Sequence, residues 1–147
     1  MNDAIHETTF IPAPIDRVWQ AISDHKEFGT WFRVRLDQPF AAGQRSTGQM
    51  TVPGYEHIKW NAEVVTIEPP HRLAFRWHPY AIDPDVDYSH EPTTLVEFSL
   101  AERDGGTEVR VTESGFSAIP ESRRDEAYRM NSQGWAAQMK NVTQHLA

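Results

Sequence analysis

Cysteine is missing from all 147 residues. Structural disulfides, thiolate zinc sites, iron–sulfur clusters and cysteine nucleophiles are thereby excluded together. Long apolar runs are missing too: nothing approaches the roughly 20 residues of a membrane helix, so no membrane insertion is expected. Positive charge is scarce, with 14 Lys and Arg against 21 Asp and Glu and a net charge of −7. Phosphate binding rests on concentrated Lys and Arg, so nucleic acid is not an expected partner. The acidic residues are dispersed outside one loop and serve mainly solubility.

Several motifs of covalent and nucleotide chemistry are also absent. There is no G-x-S-x-G elbow; Ser46-Thr47-Gly48 and Glu113-Ser114-Gly115-Phe116 read as strand and turn sequence. The only Gly-Gly pair, Gly105-Gly106, reads as a hairpin turn and not as a phosphate cradle. Seven histidines are present, but no H-E-x-x-H or H-x-H pair occurs. His57, His71, His78 and His90 fall near strand ends or a long loop and read as scattered surface residues, so neither metal nor cofactor is expected. The run Asp83-Pro84-Asp85-Val86-Asp87 imitates a calcium loop, but Tyr88 stands where its glycine belongs and Thr94 where its glutamate belongs. It reads as a solvated acidic loop. The N-terminal M-N-D-A-I-H-E-T-T lacks both a basic region and an apolar segment. A signal peptide is therefore not expected, and the cytoplasm is the expected location.

What remains is a length sufficient for one domain, spanning 1–147, which at this size buries roughly 68–70% of its unfolded surface. Five Trp, seven Phe and four Tyr give it an aromatic supply that can fill a core and also line a pocket. His6 to Ile11 alternates loosely and stops at Pro12, as an edge strand would. Pro14 suits a helix start, and Ile15, Val18, Trp19 and Ile22 then share one helical face. Asp24 with Glu27 is a capping-box-like start for a second short helix carrying Phe28 and Trp31.

From Phe32 the apolar period becomes two. Val34 and Leu36, then Thr47 to Val52, then Ile58, Trp60, Ala62 and Val64 read as successive strands. Pro69-Pro70 breaks the run. Leu73, Phe75 and Trp77 form the next inward row, followed by Val96, Phe98 and Leu100. Asp104-Gly105-Gly106 is a hairpin signal, and Val109 and Val111 continue beyond it. Short connections between successive strands imply an antiparallel meander. Pro120 opens a long terminal helix with the stripe Trp135, Met139, Val142 and Leu146.

Four segments in this order carry a resemblance: A-P-I-D-R-V-W-Q-A-I-S-D with Trp31 downstream, E-P-P-H-R-L-A-F-R-W, G-G-T-E-V-R-V-T, and the G-F … G-W terminal helix. They resemble the family of activator of heat-shock protein 90 ATPase homologues, within the START-like, Bet v 1-like (SRPBCC) helix-grip superfamily. The resemblance covers essentially the whole chain. It implies an α+β fold in which a seven-stranded antiparallel sheet wraps a long C-terminal helix. Two short helices follow the first strand, and a cavity lies between sheet and helix. It supplies no catalytic set to transfer, and members variously bind apolar molecules, cyclise polyketides or assist the chaperone.

Strand parity puts Glu113 on the same side as Val109 and Val111, toward the concave face. Read backwards from Trp135, the helix stripe turns polar at Tyr128, Asn131 and Ser132, as a helix does where it stops packing and lines a cavity. Glu113, Tyr128 and Asn131 are therefore candidates for one wall; the competing reading leaves Glu113 at a frayed strand end in water. With Trp31, Trp60, Trp77, Phe98 and Trp135 they form the expected ligand-binding set. The leading expectation is a carrier or sensor for a small, largely apolar molecule. The alternatives are a cyclase-like or acid–base enzyme acting on an aromatic or polyketide-like ligand, with Glu113, Tyr128 and Asn131 as candidates and no catalytic residue assigned, and a chaperone-accessory interaction protein; the oligomeric state is left open.

Overall fold

The alternating segments pair in the order in which the chain makes them. In the computed structural model, which describes residues 3–147, β2 (Val34–Leu36), β3 (Arg45–Met50), β4 (Lys59–Glu68), β5 (Arg72–Trp77), β6 (Thr94–Arg103) and β7 (Gly106–Ser114) form an antiparallel meander. Residues 1 and 2, where the reading of the N-terminal segment starts, lie outside the described residues. β1 (Ala4–Ile11) crosses over and pairs with β7, so β1 and β2 are the two edges of a seven-stranded sheet. The β6–β7 turn takes positive φ at both Asp104 (50°) and Gly105 (78°). That backbone matches the twist of the flanking strands and favours Asp-Gly.

The predicted rows are buried except at two ends, where Ile58, which precedes β4, and Trp77 are half-buried. Trp60, Ala62 and Val64 of β4, Leu73 and Phe75 of β5, Val96, Phe98 and Leu100 of β6, and Val109 and Val111 of β7 are all buried. Glu113 continues that row, opposite Ile5 on one side and Val96 on the other. Register shifts between Val64 and Thr66, leaving Val65 exposed and bending the strand around the core. Strand ends differ from the sequence reading by up to four residues: β3 starts at Arg45 and stops at Met50, before Val52, and β4 runs on past Val64 to Glu68.

Two helices close one end. Pro14 precedes α1 (Ile15–Ser23), whose Ile15, Val18, Ala21 and Ile22 are buried; Trp19 is half-buried and packs on the core from beside that face. The carboxylate of Asp24 accepts from the Glu27 amide at 2.9 Å and caps α2 (His25–Phe32). α2 ends at Arg33 in the left-handed conformation, which turns the chain directly into β2. After a short 3₁₀ turn at Phe116–Ala118, α3 (Glu121–His145) runs 25 residues, about 37 Å. Its Trp135, Met139 and Val142 are buried and Leu146 is half-buried against the same core.

Aromatic rings fill the space between sheet and helices. Phe28 stacks on Phe32 at 4.9 Å and meets Trp31 and Trp60 edge-on. Phe98 packs edge-on against Trp135 at 5.7 Å. Such pairs contribute about 0.5–1.5 kcal/mol each beyond the area they bury. No buried side-chain nitrogen or oxygen lacks a hydrogen-bond partner among the described residues.

Candidate functional site

Beside the middle of α3 the aromatic packing is incomplete. A partly open cavity of about 570 Å³ remains between the sheet, α3 and the loop joining β5 to β6. Phe32, Trp60, Trp77 and Trp135 form its aromatic wall, and Tyr80 and Tyr88 approach from the loop. A cavity of a few hundred Å³ lined mainly by apolar and aromatic groups suits a small organic molecule.

Behind that wall lies Glu113, with 0% of its surface exposed. Four donors converge on its carboxylate. The Oε1 atom accepts from Asn131 Nδ2 at 2.9 Å and from Trp135 Nε1 at 2.8 Å. The Oε2 atom accepts from Trp77 Nε1 at 2.8 Å and from the Thr94 hydroxyl at 2.5 Å. An ionised carboxylate is acceptor-only and offers about four lone-pair positions, so this donor set uses them all. No cation pairs with Glu113 among the described residues. The arrangement ties β5, β6, β7 and α3 together at one carboxylate, and it commits the acceptor positions of Glu113 to the protein's own donors.

The eight sequence candidates divide. Trp60, Trp77, Asn131 and Trp135 line the cavity. Glu113 is inward, as parity requires, and the frayed-end reading is overturned by its burial. It sits one layer back and reaches the cavity through Asn131 and the two indoles. Tyr128 does not join it: its hydroxyl donates to the Ala4 carbonyl at 3.0 Å and its ring packs edge-on against Phe116. The shared polar wall of Glu113, Tyr128 and Asn131 is therefore a pair, because Tyr128 is turned toward β1. Trp31 and Phe98 belong to the packed core; the Trp31 indole donates to the Ala21 carbonyl at 2.8 Å.

The sequence reading passed over the β5–β6 loop, which forms the opposite wall. Val86 within the acidic run and Tyr80, Ile82 and Tyr88 on either side of it line the cavity. Asp83 and Asp87 are exposed and accept from the Asp85 and Ser89 amides, each at 2.9 Å, so they shape the loop. The Ser89 hydroxyl and amide hold the Asp87 carboxyl below its ordinary value, with His90 and His78 adding smaller effects. His78, read from the sequence as a scattered surface residue, lines the cavity instead, because β5 ends at Trp77 and the alternation ends with it.

Arg123 of α3 fixes this loop. Its Nη2 meets Glu91 Oε1 at 2.7 Å, its Nη1 donates to the Pro79 carbonyl at 2.9 Å, and its guanidinium lies 4.7 Å from the centre of the Tyr88 ring. Apolar residues spaced among the loop aspartates were the available signal, but nothing local in the sequence pairs Arg123 with residues 32 to 44 positions away.

No three His, Asp or Glu side chains come close enough to hold a metal ion among the described residues, and no described helix is long and apolar enough to cross a membrane. A family model described as Activator of Hsp90 ATPase homolog 1-like protein matches residues 12–147. The chain belongs to that family. No curated protein sequence matches it. Solved structures place this Activator of Hsp90 ATPase homolog 1-like chain among helix-grip relatives. Protein MLL2253 from Mesorhizobium loti is similar at 25% identity and TM-score 0.76, over 97% of this chain and 96% of that one. DynU16, a protein of the dynemicin biosynthetic locus, is similar at 23% identity and TM-score 0.77 over 99% of this chain. This chain spans only 48% of DynU16. The Aha1 dimer from Colwellia psychrerythraea is similar at 17% identity and TM-score 0.71, covering 97% and 95% of the two chains.

Proposed function

We propose that this chain is a cytoplasmic binding protein, a carrier or sensor, for a small and largely apolar molecule held between the curved sheet and α3. One observation carries the reading: a cavity of about 570 Å³ whose inner wall is Trp60, Trp77 and Trp135. Wide aromatic faces supply apolar contact area at low side-chain entropy cost. Trp60 donates its indole N–H to Ser46 Oγ at 2.9 Å, and the other two indoles donate to Glu113. The rings are thus held in place before any ligand arrives, which lowers the ordering cost of binding.

Acid–base catalysis is the less supported reading, since the one buried carboxylate at the site already accepts from four donors. A chaperone-accessory role rests on the family description and on the likeness to Aha1, and on no feature of the cavity.

Tryptophan fluorescence tests the proposal, because three of the five tryptophans line the cavity. Bicyclic aromatics and medium-chain fatty acids titrated into the protein are expected to give a saturable change with a micromolar midpoint, about −8 kcal/mol. A broad panel without saturable change, combined with capture of a chaperone in pull-down, would move the reading to the interaction-protein class.

A further inference from the structure

Donors and acceptors are unevenly divided on the inner wall of the cavity, formed by the sheet and α3; the Tyr80 and Tyr88 hydroxyls belong to the loop opposite. All three indole N–H groups of that wall are consumed inside the protein, by Ser46 and by Glu113. Asn131 is constrained by the same carboxylate. Because Glu113 Oε1 only accepts, Asn131 must turn its nitrogen toward it, at 2.9 Å. The amide is planar, so fixing the nitrogen also fixes the carbonyl oxygen. No hydrogen bond to Asn131 Oδ1 occurs among the described residues, and no buried side-chain oxygen among them lacks a partner. Asn131 Oδ1 is therefore accessible, on a residue that lines the cavity.

His78 adds to this bias. Its Nε2 lies 3.0 Å from the Glu91 carbonyl, an acceptor, so in the neutral ring Nε2 carries the proton and Nδ1 keeps a lone pair. Gln138, which also lines the cavity, has both ends of its amide engaged, with the Phe32 carbonyl and with Asn141. Lys59 and Asn61 belong to the lining but are exposed to solvent. The wall formed by the sheet and α3 is thus mainly aromatic and includes Asn131, whose carbonyl oxygen is unpaired among the described residues.

We infer that Asn131 is a specificity-determining residue: the site selects apolar, ring-bearing molecules that carry a hydroxyl or N–H donor, and that donor bonds to Asn131 Oδ1. This rests on the proposal that the cavity binds a small apolar molecule. Glu113 acts through Asn131 as a positioning residue, holding the amide in the orientation that presents oxygen. A ligand without a donor would strip water from the accessible Oδ1 and return nothing, and an acceptor left unpaired once the ligand covers it is costly.

Three bicyclic probes separate the possibilities: 2-naphthol carries a donor, 2-methoxynaphthalene an acceptor only, and naphthalene neither. Partition from water alone would rank naphthalene above naphthol, so the opposite order reports a hydrogen bond. By fluorescence titration, 2-naphthol is expected to bind about tenfold tighter than either of the others. In Asn131→Leu that advantage should vanish while naphthalene affinity stays within about twofold, which also reports an intact cavity. Wild-type protein gives a readout independent of the variant: 2-naphthol should shift the Asn131 side-chain amide resonances in a ¹⁵N–¹H spectrum, and naphthalene should not. Equal affinity for all three probes, or a naphthol preference that survives in Asn131→Leu, would overturn the inference and leave the apolar-ligand reading standing. Absence of saturable binding by every probe would overturn both.

Discussion

Replacing Glu113 by Gln changes little in shape and tests the central arrangement directly. Gln offers one carbonyl oxygen and one amide nitrogen where Glu offers two acceptor oxygens. With the Gln oxygen at the Oε1 position, Asn131 and Trp135 keep their acceptor. The nitrogen then faces the Thr94 hydroxyl, which can rotate to accept, and the Trp77 indole N–H, which cannot. Reversing the amide moves the conflict to Trp135. Either way one indole donor meets another donor, at a residue with 0% exposure.

Relief from burying a charge works in the opposite direction, so the magnitudes decide. Hydrogen bonds to charged groups contribute about 1.5–3 kcal/mol each, neutral ones about 1, and an orphaned buried donor costs about 1–3. The net expectation is a loss of about 3 kcal/mol, which for a chain of this length lowers Tm by roughly 10 °C. A double-mutant cycle sharpens it: Trp77→Phe removes the stranded N–H and should cost at least about 1 kcal/mol less in the Glu113→Gln background than in wild type. Chemical and thermal denaturation of the four proteins measure both quantities. If Glu113→Gln melts within about 2 °C of wild type and the cycle shows no coupling, the four-donor argument is wrong.

Arg123→Ala should free the β5–β6 loop from α3, speeding amide exchange across residues 78–91, with a modest stability loss of about 1–2 kcal/mol because the Glu91 pair is only partly buried. Unchanged exchange there would show that the loop holds itself. Gly134 lines the cavity inside α3, and a methyl group added to it meets nothing within 4 Å. Gly134→Ala should therefore gain roughly 0.5–1 kcal/mol of helix stability while narrowing the site, so Tm and ligand affinity move in opposite senses. At the N-terminal edge, the Ser117 hydroxyl and amide and the Gly115 amide hold the Asp3 carboxyl below its ordinary 3.8. A depressed carboxyl contributes stability above its unfolded pKa and loses it as pH falls through the folded value. The Tm gap between wild type and Asp3→Ala should thus be full at neutral pH and narrow as pH falls below the ordinary carboxylate range; a gap independent of pH would refute that linkage.

Much of this molecule follows from local pattern. Alternation of period two set the inward rows of the central strands, Pro14 and Pro120 set two helix starts, and Asp24 capped a third. Those signals are read within a few residues, because strand parity and helix capping are local in the chain. Parity also sufficed to turn Glu113 inward. It could not say what would meet the carboxylate there: all four donors, Trp77, Thr94, Asn131 and Trp135, arrive from other elements 18 to 36 residues away. Tyr128 and Asn131 lie three residues apart on one helix, yet the end of β1 captures one and Glu113 the other. The cavity's outer wall was less legible still, since residues 78–93 have no period to read and hold their shape through Arg123. Local chemistry determined which residues point inward. Only the tertiary structure, by bringing distant donors and one guanidinium to fixed places, decided which of them pack, which lock one another, and which are left facing an open space.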